Sequence, residues 1–302
     1  MAHPSETGAA APRRAGMILP LAAAVAAMIC FQSGAAVAKS LFPAIGPQGT
    51  AALRLTLGAA MLLAATRPWR NWPRRAPLGP LIGLGVAMGL TILLFYMAVD
   101  RLPLGVATSL QFLGPLSVAV FSSRKPTDLI WAVLAAGGVW CLAGAGSAAV
   151  RLDPWGVAFA LGAAAGWGAY ILLGRAASAT FGHATAALAV GISALVVLPV
   201  GVWHAGAALI SPAILPMALA VAVLSAAAPF TLELYALARL PARAFATFTS
   251  LEPAFGVVSG LVLLNQRLSP LQIGGVALVI SAAAGAAWSN ADRRAIATPL
   301  PD

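Results

Sequence analysis

Uninterrupted apolar runs of about twenty residues recur from one end of this chain to the other, and a helix of that length is what ~30 Å of hydrocarbon demands. A window of that size finds ten candidate spans, at roughly 17–37, 49–66, 79–99, 103–122, 127–147, 154–173, 184–204, 213–236, 241–264 and 268–288. With 61% of its 302 residues hydrophobic and 9% charged, the chain carries more apolar surface than one soluble core can hide. A transmembrane barrel would show short segments of alternating polarity, whereas these are continuous Ala, Leu, Val and Gly runs. The chain therefore reads as an all-α integral membrane protein with ten transmembrane helices. Its 30 glycines and 22 prolines are tolerated inside spans, where neighbouring helices re-satisfy the backbone.

Two of the spans carry the same punctuation about 138 residues apart. From Arg101 the chain reads RLPLGVATSLQFLGPL, and from Arg239 it reads RLPARAFATFTSLEPA, so Leu113 matches Leu251 and Pro115 matches Pro253. Each copy holds five spans, an odd number, so the second is threaded upside down relative to the first. Two inverted five-helix repeats, 17–147 and 154–288, are the plan of many secondary transporters, whose substrate site lies near the midplane between the halves.

The net charge of +10 orients the protein rather than binding nucleic acid. With the N-terminus inside, Arg13, Arg14, Arg67, Arg70, Arg74, Arg75, Arg124, Lys125, Arg175, Arg239, Arg243, Arg293 and Arg294 face the cytoplasm. Lys39, Arg101, Arg151 and Arg267 face outward, and Arg54 lies within a span. Thirteen against four is a strong positive-inside bias that places both termini in the cytoplasm. No basic stripe interleaved with aromatics remains for nucleic acid. Residues 1–16 read as a disordered cytoplasmic tail and 289–302 as a second short one. Arg13-Arg14 followed by an apolar run and Ala36-Val37-Ala38 imitates a cleavable signal peptide, but the segment aligns with the start of the second repeat and is expected to stay. Trp69 and Trp72 read as interfacial anchors beside the arginines.

Chemistry has to be sought among the few residues that break the apolar pattern. Pro115 and Pro253 sit at equivalent places inside the fourth and ninth spans, where each would deprive the carbonyl four residues earlier, on Gln111 or Thr249, of its helical partner. Two bent helices meeting near the bilayer centre beside Gln111 and Glu252 suit a cavity lining. An ionised carboxylate at the depth of Glu252 costs ~2.5 kcal/mol or more unless it faces protein or water. Such a group can hold a substrate ammonium, carry a proton, or stay neutral and bond a neighbouring helix. Glu233 is shallower and can equally snorkel. Arg54, about a turn and a half below the outer face, has three readings: pairing with a carboxylate, binding a substrate carboxylate, or snorkelling. Gln32 and Tyr170 are equivalent under the 138-residue shift, Trp167 shares a helical face with Tyr170, and with Tyr96 they would line a central cleft.

Other features are bland or missing. Cys30 and Cys141 read as packing residues, and His183 and His204 lack a second ligand at metal-binding spacing, so no metal or cofactor is expected. There is no GxxxxGK[ST] loop, HExxH or GxSxG. Uphill transport would have to borrow an ion gradient.

An ordered set of stretches, AKSLFP at 38–43, TAALRLTLG at 50–58, LPLG at 102–105, FLGPLSVAVFSSRKPTD at 112–128 and RLPARAFATFTSLEPA at 239–254, resembles the EamA-type carriers of the drug/metabolite transporter superfamily from about Ala22 to Trp288. The resemblance implies alternating access in a bacterial inner membrane. It also implies export of small neutral amino acids, threonine and homoserine among them, coupled to protons. Amino acid, protons and membrane lipids would be the partners. Arg54, Glu252 and Pro253 match the family pattern. The turn that usually reads Gly-Glu before a Leu is here Asn265-Gln266-Arg267-Leu268, so no role for that acid carries over. Broad efflux of drugs or metabolites is the alternative within the superfamily. From another class, an intramembrane enzyme lacks its nucleophile or metal set, and a non-transporting partner protein would move no solute. Single cysteines replacing Arg13 and Arg294 are expected to resist an impermeant external maleimide and react with a permeant one; labelling from opposite sides would refute an even number of spans.

Overall fold

The computed structural model describes residues 18–71, 77–121, 129–142, 152–237, 239–240, 245 and 248–297. The predicted tail 1–16, Trp72, and residues 143–147 and 298–302 lie outside the described residues. In chain order the helices are α1 (Ile18–Lys39), α2 (Phe42–Thr66), α3 (Leu78–Arg101), α4 (Leu104–Gln111), α5 (Leu113–Phe121), α6 (Leu129–Leu142), α7 (Pro154–Phe181), α8 (Thr185–Ala205), α9 (Leu215–Ala222), α10 (Ala228–Leu237), α11 (Glu252–Leu264) and α12 (Pro270–Ala297). A single π-helical turn, Val223–Ala227, joins α9 to α10. Among the described residues there is no strand. Seven helical segments are long and apolar enough to cross a membrane, and three shorter apolar helices occupy the fourth, fifth and ninth predicted positions.

Where helices depart from the sequence-based windows, local chemistry explains it. The second span starts at Phe42 instead of about residue 49, because the helix runs on past a kink at Gly46 (φ 67°, ψ 169°) with Pro47 at the restart. Gly46 supplies the left-handed φ that a side chain disfavours. The fourth span runs as two successive helices, α4 and α5, that meet at Phe112, whose own backbone stays right-handed helical (φ −66°, ψ −13°). Pro115 stands in the first turn of α5 and Pro253 in the first turn of α11, positions where a missing N–H costs little. The last helix continues to Ala297, beyond the expected end of the span at 288. Asp153 caps α7 by accepting from Trp155 N (2.8 Å) and Gly156 N (3.2 Å). It also pairs with Arg101 at 2.8 Å, and the guanidinium bonded to it holds its carboxyl below the usual range.

Helices pack in pairs: α3 on α7, α2 on α8, α12 on α6, α3 on α8, α1 on α10 and α11 on α4. Lipid is as apolar as leucine, so association in a bilayer rests on close fit and on polar contacts. Small residues supply the fit. A Cβ on Gly105 would lie 2.5 Å from Val257 Cγ2 and 2.9 Å from its Cα, and one on Gly138 would lie 2.9 Å from the Gly275 carbonyl. Large apolar side chains such as Trp203 (92% exposed) and Phe121 (89%) turn outward, as a lipid-facing surface permits. Gly105→Ala is therefore expected to push α4 off α11, cost about 1–3 kcal/mol, and lower the thermal unfolding midpoint in detergent.

Candidate functional site

Buried polar side chains from both halves of the chain converge inside the bundle. Gln32 on α1 is 3% exposed; its Nε2 donates to Glu252 Oε1 at 3.0 Å. Its Oε1 lies 3.2 Å from Thr108 Oγ1, which also faces the Leu104 carbonyl at 2.8 Å, and the hydroxyl has one proton to share between them. One amide thus ties α1, α4 and α11 together. Gly256, a turn beyond Glu252, makes room, since a Cβ there would meet Thr108 Oγ1 at 2.8 Å and Gln32 Oε1 at 3.2 Å.

The second cluster centres on Arg54, which is 9% exposed. Nη1 donates to Tyr96 Oη at 3.3 Å and Nη2 to the Ser225 carbonyl at 2.9 Å. The guanidinium carbon also sits 5.4 Å from the Tyr96 ring centroid. The Ser225 carbonyl accepts because its helical partner four residues on is Pro229, which has no N–H. The π turn at the same place widens the helix there, a distortion frequent at functional sites. Among the described residues no carboxylate lies within ion-pair distance of Arg54.

The two clusters are in electrostatic reach of one another. Glu252 lies within the field of Glu233 and Arg54, and Tyr170 within that of Glu233. Gln32, Arg54, Tyr96, Tyr170, Glu233 and Glu252 thus stand near one another, with Glu233 half-buried. Arg54 stands in the straight part of α2, two turns beyond the kink at Gly46. Trp167 meets Phe112 edge to face, with centroids 5.4 Å apart at 87°, at the junction between α4 and α5. Gln111, half-buried at the end of α4, joins the network through no hydrogen bond among the described residues. Thr249 is half-buried just before α11.

Sequence reading missed Thr108, Gly256, Ser225 and Pro229. Only Pro229 announced itself, as a proline midway along the 213–236 run. Pro229 frees a further carbonyl, that of Ser225, which Arg54 fills. Gln266, at the turn lacking the family's acid, caps α4 by accepting from Leu104 N at 2.9 Å.

Residues 18–144 and 154–288 each match the EamA-like transporter family. The chain belongs to that family, a class of multi-pass membrane transporters. It is 44% identical over 273 residues, 90% of this chain and 92% of the relative, to the threonine/homoserine exporter RhtA of Escherichia coli (strain K12). The exporter of the same name in Salmonella typhimurium (strain LT2) is 45% identical over the same length and coverage. An uncharacterized transporter, YwfM of Bacillus subtilis (strain 168), is 30% identical over 245 residues, 78% of this chain and 82% of that one. A crystal structure 19% identical to the chain superposes with a TM-score of 0.60 over 93% of this chain and 98% of its own, which shows a shared fold. These named relatives are transporters, not enzymes.

Replacing Gln32 by Leu would take from Glu252 the amide that donates to it, whereas Thr108 keeps its bond to the Leu104 carbonyl. The expected loss is ~1–2 kcal/mol, the worth of such bonds in membranes, read as a lower midpoint of unfolding in detergent.

Proposed function

We propose that this chain exports threonine, homoserine and similar small neutral amino acids across a bacterial inner membrane by alternating access, coupled to protons. The observation that carries the reading is a buried guanidinium without a carboxylate partner among the described residues, facing the same interior as a buried carboxylate. An amino acid zwitterion brings one group for each: its carboxylate to the free N–H groups of Arg54, bidentate in the geometry a guanidinium favours, and its ammonium to Glu252. Names borne by relatives 44–45% identical support the substrate class.

Ten spans in two inverted repeats, with both termini cytoplasmic, complete the proposal. The packing supports it by its symmetry. Exchanging the halves turns α3 on α7 into α10 on α1, α3 on α8 into α9 on α2, and α5 on α7 into α11 on α1, all of which occur. The pairs α2 with α8 and α6 with α12 map onto themselves. Proton coupling follows from two carboxylates, Glu252 and Glu233, in one desolvated space. They repel each other, and either a proton or a substrate ammonium relieves the repulsion. Two cations competing for one pair are exchanged rather than carried together, and the halves rock about the fixed site.

Broad efflux of drugs or metabolites, hydrophobic cations among them, is the second reading. It would use the carboxylates but gives Arg54 no ligand. In proteoliposomes, Glu252→Gln is expected to abolish threonine efflux driven by a pH gradient. Arg54→Gln should raise the half-saturating internal threonine concentration about tenfold or more, the equivalent of ~1.4 kcal/mol. Undiminished gradient-driven efflux in the first would remove the coupling role, and an unmoved half-saturation in the second would remove the carboxylate site.

A further inference from the structure

A cavity of about 320 Å³ opens where the start of α2, the end of α3 and the end of α8 meet, the end that the charge bias places outside. That volume lies at the small end of ligand pockets, ~300–1,000 Å³. Its polar lining is mixed in sign: Asp100, Arg101, His204 and Gln48, with Met97 and Phe42 as apolar wall. Arg101 already pairs with Asp153 at 2.8 Å, but a guanidinium has five N–H groups, so donors remain. Gln48 Oε1 is buried with no hydrogen-bond partner, and a buried acceptor of that kind calls for a donor.

The site is kept open by its backbone. Gly46 holds φ at 67°, and a Cβ there would lie 2.5 Å from His204 Nε2 and 3.1 Å from Gln48 Oε1. Any side chain would be strained and would fill the space between imidazole and amide. Pro47 then restarts the helix directly beneath. The floor is aromatic. Phe42 packs on Tyr96 with ring centroids 5.8 Å apart, and Tyr96 Oη accepts from Arg54 Nη1 on its far side. The cavity and the interior cluster therefore lie one aromatic layer apart.

We propose that this vestibule is a second amino-acid site, through which substrate leaves after passing the Phe42–Tyr96 layer. It takes a small zwitterion, with the ammonium against Asp100 and Gln48 Oε1 and the carboxylate against Arg101 and an N–H of His204. The assignment rests on the reading of an amino-acid exporter, and it adds a station that the interior site does not supply.

The test reads binding at the vestibule separately from transport. In a background carrying Cys30→Ser and Cys141→Ser, Met97→Cys is labelled from outside with an impermeant maleimide in sealed vesicles. External threonine is expected to slow labelling, whereas threonine amide, which lacks the carboxylate, and 3-hydroxybutanoate, which lacks the ammonium, leave it unchanged. Protection should persist in Arg54→Gln, and Asp100→Asn should raise the half-protecting concentration about tenfold. Absence of labelling, absence of protection by threonine, or loss of protection in Arg54→Gln would each overturn the vestibule site. Pro47→Cys, which also lines the cavity and leaves the aromatic layer intact, is the second labelling position should Met97→Cys fail to reach the membrane. Failure of the exporter reading looks different: protected labelling in a protein whose proteoliposomes release no threonine.

Discussion

Hydrocarbon offers no partner for a polar group, so Arg54 must find its hydrogen bonds inside the protein. It does so by reaching across from α2 to α3 and to the π turn before α10, binding three segments with one side chain. Its acceptor on the far side exists because Pro229 leaves the Ser225 carbonyl without a helical donor. A helix defect and a buried charge that would each be costly alone satisfy one another. Gln32 does the equivalent for α1, α4 and α11, with Glu252 on one side of its amide and Thr108 on the other.

The same constraint shapes the rest of the bundle. Regular α-helix gives way at three interior places: the Gly46 kink, the junction at Phe112 and the π turn. Phe112 and, in the π turn, Ser225 and Ala226 are buried, as irregular backbone at membrane depth requires. Around them glycine lets backbones approach to where no side chain fits, at Gly105 against Val257 and Gly138 against Gly275. Polar contacts and close fit thus share the work that water does for soluble folds.

Under the proposed function these features are also what has to move. A substrate carboxylate on Arg54 would compete with Tyr96 and the Ser225 carbonyl, and an ammonium on Glu252 would compete with Gln32. Ligand binding would therefore loosen ties between helices, which is how a local contact biases two arrangements of a bundle. The junction at Phe112 and the π turn are natural points for that motion to be absorbed.

Much of the architecture was legible in one dimension, because membrane thickness converts directly into run length. Helices stand at all ten predicted positions, and Glu252, Gln32, Arg54, Tyr96, Tyr170 and Glu233 could be picked out simply as polar residues in apolar runs. What the sequence determined by itself was the medium, the all-helical class and the short set of residues that had to be hidden. The tertiary structure alone decided who hides whom: that Gln32 answers Glu252 across 220 positions, that Arg54 answers a carbonyl 171 positions away, and that Gly256 and Thr108 take part. Those pairings depend on helix rotation and crossing, set by small residues fitting against one another, and periodicity along a uniformly apolar helix carries almost no information about which face turns inward.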